Sequence, residues 1–471
     1  MASTVMQGGV GIRAANVADL RLSFVGNDRA GGVVSCSLKT GEMMATSFFG
    51  RRLTAVLQRS CSRRVDPTFS RKYSSFRVRA NLETLGEAQE TVEAEETNSL
   101  FTPFKIGPYE ISHRVVLAPL SRCRSYGRLA QPHAAVHYSQ RASPGGLLIS
   151  EATCISATAS GAPSTPDIWS EDQTEAWKPV VKAVHEKGGI FFCQLWHTGR
   201  QSGPIYQPNG IKAVSSTDKP VNDGSQLLSP EYKFNVPFDA PRRLEIDELP
   251  SVINDYVISA KNAIAAGFDG VEVHAANGYL LDQFLKDGVN DRTDEYGGSL
   301  ANQARFPLQV VDAVIAAVGA ERVGIRLSPF TDYGDAKASN PMELGTYMAK
   351  ELNKRNIAYI HYIEPRMRTD GSVHPEESLW PFRKAFTTGA FIAAGGYSRE
   401  EGIEAVKSGK ADAIAYGRFF ISNPDLPRRY LLNAPLNAYN RDTFYIADPV
   451  VGYTDYPFLE ESHPEFAESS N

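Results

Sequence analysis

The chain is sparing with cysteine: five occur in 471 residues, at Cys36, Cys61, Cys123, Cys154 and Cys193, and no two have CxxC spacing. That disfavours a zinc ribbon, a cysteine-bound iron–sulfur cluster and a disulfide framework. None of the nine histidines forms an HExxH pair, so no metal is expected. No apolar run reaches the roughly 18 residues that a membrane helix needs, and no membrane association is expected. No Gly-x-Gly-x-x-Gly follows the first apolar run of the ordered region, which counts against an open dinucleotide-binding sheet.

Acidic residues are scarce at one end. Residues 1–80 hold 13 Lys+Arg, of which 11 are Arg, against 4 acidic residues, leaving 36 basic and 50 acidic for 81–471. The segment is rich in Ser, Thr and Ala, and reads as a disordered organelle transit peptide with a cut near Val78-Arg-Ala80. Its long Gly/Ser/Val-bearing start favours a plastid. A mitochondrion is the alternative, because 48–57, with Arg51 and Arg52, could form an amphipathic helix. A basic arm for nucleic acid is a further reading, but the acidic remainder would repel phosphate, so no nucleic-acid partner is expected. Residues 81–100 carry six Glu and no base, and read as a solvated linker. The last residues, 466–471, read as a tail; they end in Ser-Ser-Asn471, not in a peroxisomal Ser-Lys-Leu. Oligomeric state is left open.

Over 101–465 the pattern alternates between short apolar runs and helical periodicity. Strands are expected at 115–119, 147–152, 190–196, 270–274, 323–328, 357–363, 391–394 and 413–416. Helices are expected at 132–142, 171–187, 249–266, 302–318, 342–355, 379–386, 399–408 and 425–432. Eight strand–helix units predict an α/β fold, a closed (β/α)₈ TIM barrel, with a doubly wound open sheet as the alternative. Residues 201–245, rich in Pro, Asn, Ser and Gly, read as a rim or lid excursion.

Barrels keep their chemistry at strand C-termini. There the fourth strand runs into His274-Ala-Ala-Asn277-Gly-Tyr279. His274 and Asn277 could grip a substrate oxygen as charge develops on it, and Tyr279 could supply a proton. The competing readings are a satisfied core histidine and a packed aromatic. Gly395-Gly396 and Gly417-Arg418, after the seventh and eighth strands, suit a phosphate. Alternatively they form a tight turn and a surface arginine. Gln194, Arg326 and Ser121 could serve a flavin ring, although Arg326 could equally be a structural ion pair.

Together these residues resemble the old yellow enzyme family, and within it the 12-oxophytodienoate reductase-like branch. The matching stretches are Val-Val-Leu-Ala-Pro-Leu-Ser-Arg122, Phe-Cys-Gln-Leu-Trp-His197, Asp-Gln-Phe-Leu-Lys-Asp-Gly288, Asn-Asp-Arg-Thr-Asp-Glu-Tyr-Gly-Gly-Ser299, Tyr-Gly-Arg-Phe-Phe-Ile-Ser-Asn-Pro-Asp425 and Asp-Pro-Val-Val-Gly-Tyr-Thr-Asp-Tyr-Pro457. The resemblance implies a flavoprotein, with FMN at the C-terminal face of the barrel, that reduces the C=C bond of an α,β-unsaturated carbonyl with NADPH. FMN would be bound by Pro119, Leu120, Ser121, Ala152, Gln194, Arg326, Gly395, Gly396, Gly417 and Arg418. His274 and Asn277 would hold the enone carbonyl, Tyr279 would be the proton donor, and Trp196 and Tyr453 would line the substrate pocket. Two departures stand out: Ser121 where the family usually has Thr, and Asn277 where close plant members usually have a second His. A detoxifying reductase of short enones or quinones and a non-catalytic flavin-binding protein are the alternatives. Intact His274, Asn277 and Tyr279 argue against the latter.

Overall fold

The computed structural model describes residues 99–467, apart from 370 and 373, and backbone strands within 1–95. The chain divides into two units, Met1–Glu95 and Glu96–Asn471. In the first, strands Thr4–Val5, Leu20–Val25, Val33–Leu38, Met44–Phe48 and Ser75–Val78 form one sheet. Beyond Phe48, the helix expected over 48–57 lies outside the described residues, as do the cut near residue 80, the linker as far as 98 and the tail from 468.

The second unit is built on a parallel barrel. Its strands are β1 (Val115–Leu117), β2 (Leu147–Ile149), β3 (Ile190–Trp196), β4 (Gly270–Ala275), β5 (Val323–Leu327), β6 (Tyr359–Ile363), β7 (Ala390–Ala394) and β8 (Ala413–Tyr416). Each pairs with the next, and β8 pairs with β1, so the ring closes. Helices α1 (Pro132–Arg141), α2 (Glu171–His185), α3 (Leu249–Ala266), α4 (Leu300–Val318), α5 (Pro341–Asn353), α6 (Trp380–Ala385), α7 (Arg399–Lys407) and α8 (Leu426–Leu431) follow the strands in turn. Local chemistry sets their ends. Pro132 opens α1, where its missing N–H costs nothing. Ser170 with Gln173, and Ser398 with Glu401, form capping boxes on α2 and α7.

Two apolar layers result. Outward residues such as Val271 and Val273 of β4 pack with the helices, in one cluster with Trp177, Tyr256 and Phe306. A second cluster fills the lower barrel interior: Val116, Ile149, Phe192, Tyr359 and Ile392, with Ile106 and Ile111. The last two belong to a hairpin, Phe104–Ile106 with Tyr109–Ile111, that seals the barrel floor. Close approach of Tyr359 to β5 needs a residue without a side chain. A Cβ on Gly324 would lie 2.2 Å from the Tyr359 ring.

The 201–245 excursion has its own structure. Val214–Ser215 pairs with Arg242–Arg243, and Leu227–Leu228 pairs with Phe234–Val236. Strands of two or three residues are too short to show a period in sequence.

Candidate active site

At the mouth, β4 gives way to a turn and then to a short helix, Leu280–Leu285. A buried charge pair holds this turn. Asp282 Oδ2 accepts from the Gly278 amide at 2.8 Å and from Lys286 Nζ at 2.8 Å, and Lys286 also donates to the Thr331 carbonyl. Asn277 sits in the left-handed region at φ 59°, fixed at both backbone ends. Its N–H donates to Ser328 Oγ at 2.7 Å, and its carbonyl accepts from Gln201 Nε2 at 2.7 Å.

This turn brings His274, Asn277 and Tyr279 together. The Tyr279 ring stands edge-on to His274 at 5.0 Å and to Trp196 at 5.1 Å. His274 Nδ1 accepts from the Ala276 amide at 3.3 Å, so Nε2 carries the proton. Burial, reinforced by Arg326 and His361, holds this imidazole far below its ordinary pKa and therefore neutral. Burial, assisted by the Tyr445 phenol, pushes Tyr279 upward and keeps its O–H protonated. The Asn277 Oδ1 and Trp196 Nε1 atoms are buried without a protein partner.

Beneath them lies a polar layer. Gln194 pairs in register with Glu272, and Arg326 lies in register between His274 and His361. Gln194 Nε2 donates to Glu272 Oε1 at 2.7 Å, and His361 Nδ1 meets Glu272 Oε2 at 2.9 Å. Burial lowers the Arg326 pKa, with Glu272 opposing it, and Arg326 Nε has no protein partner. Arg326 therefore feels a buried carboxylate at a distance, without a direct ion pair to it, and still has a donor to offer.

The ends of β1, β2 and β8 also meet. The Arg122 amide donates to Glu151 Oε2 at 3.1 Å, which joins the segments carrying Pro119, Leu120 and Ser121 to the one carrying Ala152. A Cβ on Gly417 would be 3.1 Å from Leu120 Cδ2, so β8 ends against the β1 loop. Gly395 and Gly396 take φ 130° and 75°, backbone that a side chain would strain. Arg418 is exposed and lies over the Tyr439 ring at 5.8 Å.

The structure does not bring Tyr453 to this group. Its ring is 1% exposed, stacked on His137 at 4.0 Å and flanked by the Arg122 and Arg124 guanidiniums. It has no free face with which to line a pocket. Tyr445, eight residues earlier, takes that place: its phenol acts on Tyr279, and its ring meets Phe234 of the excursion at 5.8 Å. Arg122 and Arg124 fasten the strap that carries it, donating to the carbonyls of Thr443, Phe444, Asp448, Val451 and Gly452. Tyr333 joins the same electrostatic group through Arg326 and Arg418.

Among the described residues, no helix is long and apolar enough to cross a membrane, and no group of three or more His, Cys, Asp or Glu could hold a metal.

Residues 99–437 match the profile of the NADH:flavin oxidoreductase / NADH oxidase family. The chain is 56% identical over 375 residues to 12-oxophytodienoate reductase 2 of Arabidopsis thaliana, covering 79% of this chain and 98% of that protein. It is 59% identical over 369 residues to 12-oxophytodienoate reductase 1 of Oryza sativa subsp. japonica, covering 78% and 94%. Among solved structures it resembles morphinone reductase, at TM-score 0.74 and 44% identity over 78% of this chain and 98% of the other. It also resembles the old yellow enzyme homologue from Zymomonas mobilis, at TM-score 0.71 and 40% identity over 76% and 99%.

Proposed function

The chain belongs to the NADH:flavin oxidoreductase / NADH oxidase family, and we propose that it is an FMN-dependent ene-reductase that uses NADPH. The substrates would be α,β-unsaturated carbonyl compounds such as 12-oxophytodienoate. One observation carries this reading: a neutral imidazole and a protonated phenol meet at the mouth, with Tyr279 edge-on to both His274 and Trp196, and the turn between them carries Asn277, whose Oδ1 is buried without a protein partner.

The residues present fit FMN. Unpartnered Arg326 Nε suits the polar edge of an isoalloxazine, and Gln194 lies in the same layer. Pro119, Leu120, Ser121 and Ala152 would border the ring, while Gly395, Gly396, Gly417 and Arg418 would hold the phosphate. When bound, FMN supplies the two-electron chemistry between nicotinamide and substrate.

The chain's own part is polarisation and proton supply. His274 Nε2–H and the Asn277 amide would donate to the enone oxygen and stabilise charge as it develops there. Tyr279, kept protonated by burial, would deliver a proton from its phenolic oxygen to the α carbon. Trp196 and Tyr445 would pack around the substrate and exclude water. For residues 1–80 we keep the transit-peptide reading, with a plastid as destination, on their arginine-rich, acid-poor composition.

Purified protein mixed anaerobically with NADPH should lose its yellow absorbance, and 12-oxophytodienoic acid or 2-cyclohexenone should restore it. A yellow protein that NADPH fails to bleach would refute the enzyme reading. Restoration by cyclohexenone alone would assign the protein to short enones.

A further inference from the structure

Glu272 is the most thoroughly enclosed carboxylate near the site, 0% exposed inside the barrel, and the chemistry above does not use it. Sequence pattern hides it, because Gly270-Val-Glu-Val273 reads as an apolar run. Its two oxygens are both engaged, one by Gln194 Nε2 at 2.7 Å and the other by His361 Nδ1 at 2.9 Å. His361 is likewise 0% exposed. Strand alternation puts Glu272 on the same face of β4 as His274, one layer lower. Burial disfavours its charge, but His361, Arg326 and Gln194 outweigh burial and keep it ionised.

A buried anion thus lies one layer below Arg326, whose Nε has no protein partner. Two electrons and one proton convert FMN to FMNH⁻, adding one negative charge. Arg326 favours that charge, and a fixed carboxylate in the same low-dielectric layer opposes it. We propose that Glu272 is a positioning residue that sets the cofactor's reduction potential, orienting Gln194 and offsetting the Arg326 charge. This inference rests on the FMN reading.

The test is a redox titration of the holoenzyme against a reference dye, with both absorbances read under slow anaerobic reduction. Glu272→Gln should raise the ratio of reduced to oxidised flavin at least tenfold at a given dye ratio, about 30 mV for two electrons. Burial outweighs the pull of Glu272 and lowers the His361 pKa, so this imidazole acts as a neutral hydrogen-bond donor; His361→Gln exchanges it for another neutral donor, retains the carboxylate and should leave the potential unchanged or lower. A wild-type protein without a titratable flavin removes the FMN reading itself. An unchanged or lowered potential in Glu272→Gln, or an equal rise in both variants, overturns the role of Glu272 alone. Should Glu272→Gln fail to fold, His361→Gln decides: no rise supports the proposal and a rise overturns it.

Discussion

The two ends of the barrel interior are filled by opposite means. At the floor, Val116, Ile149, Phe192 and Ile392 interlock with the hairpin residues Ile106 and Ile111. At the mouth, β3 to β6 present Gln194, Glu272, His274, Arg326 and His361, with Arg326 Nε and His361 Nε2 lacking a protein partner. Each apolar side chain at the floor contributes on the order of 1.5–3 kcal/mol by leaving water. Each polar group at the mouth costs free energy unless it is hydrogen-bonded. Stability is thus concentrated at one end and reactivity at the other. On β3, Phe192 and Gln194 are separated by one residue and serve the two ends.

Variants can break this division if it is false. Tyr279→Phe should have the largest effect, slowing enone reduction about 100- to 10,000-fold while leaving flavin bleaching by NADPH and the melting temperature nearly intact. Equal enone turnover in both proteins would sink the assigned role. Phe192→Ala is the opposite case. It should cost about 3–5 kcal/mol of stability and leave turnover per folded molecule close to wild type. Denaturant unfolding beside active-site titration would check this, and a pure loss of rate would blur the two ends.

Acid sharpens the comparison at the floor. His113, 7% exposed and hydrogen-bonded to Ser143 Oγ at 2.8 Å, has its pKa lowered to about 4 by burial. Its folded pKa lies below the ordinary imidazole value of about 6.5. Its contribution is therefore complete above that pH and is lost as pH falls through the folded value, at most roughly 3 kcal/mol. Melting curves of wild type and His113→Asn should converge between neutrality and pH 4. Parallel curves would dismiss it. Arg418→Ala should have the smallest effect, weakening FMN retention about tenfold, the size of one charge-assisted hydrogen bond. Fluorescence of released flavin on dilution would measure that, and undiminished retention would return Arg418 to the surface reading.

The division also explains what the sequence could convey. The eight strand–helix units were legible because a strand buried on both faces reads as a short apolar run and a packed helix carries a period of 3.6, and α3 falls on its expected bounds, Leu249–Ala266. His274, Asn277 and Tyr279 stood out as candidates because they lie at and just beyond the end of a strand. The floor hairpin was not, since Lys105 and Glu110 interrupt its two three-residue strands and leave no apolar run. Tyr453 came from the resemblance, and nothing in the irregular stretch over 433–457 says which aromatic faces inward. Glu272 and His361 were hidden inside apolar strands, where a pair can satisfy itself across the barrel without leaving a local trace.

The strap over 443–452 has a consequence for the chain's end. A terminal segment ordinarily frays at little cost. Here, peeling it back would leave the Arg122 and Arg124 guanidiniums, each 1% exposed, without the carbonyls to which they donate. Deleting the last thirty or so residues would thus amount to stranding two cations inside the protein, an injury to the first strand's loop inflicted from the opposite terminus.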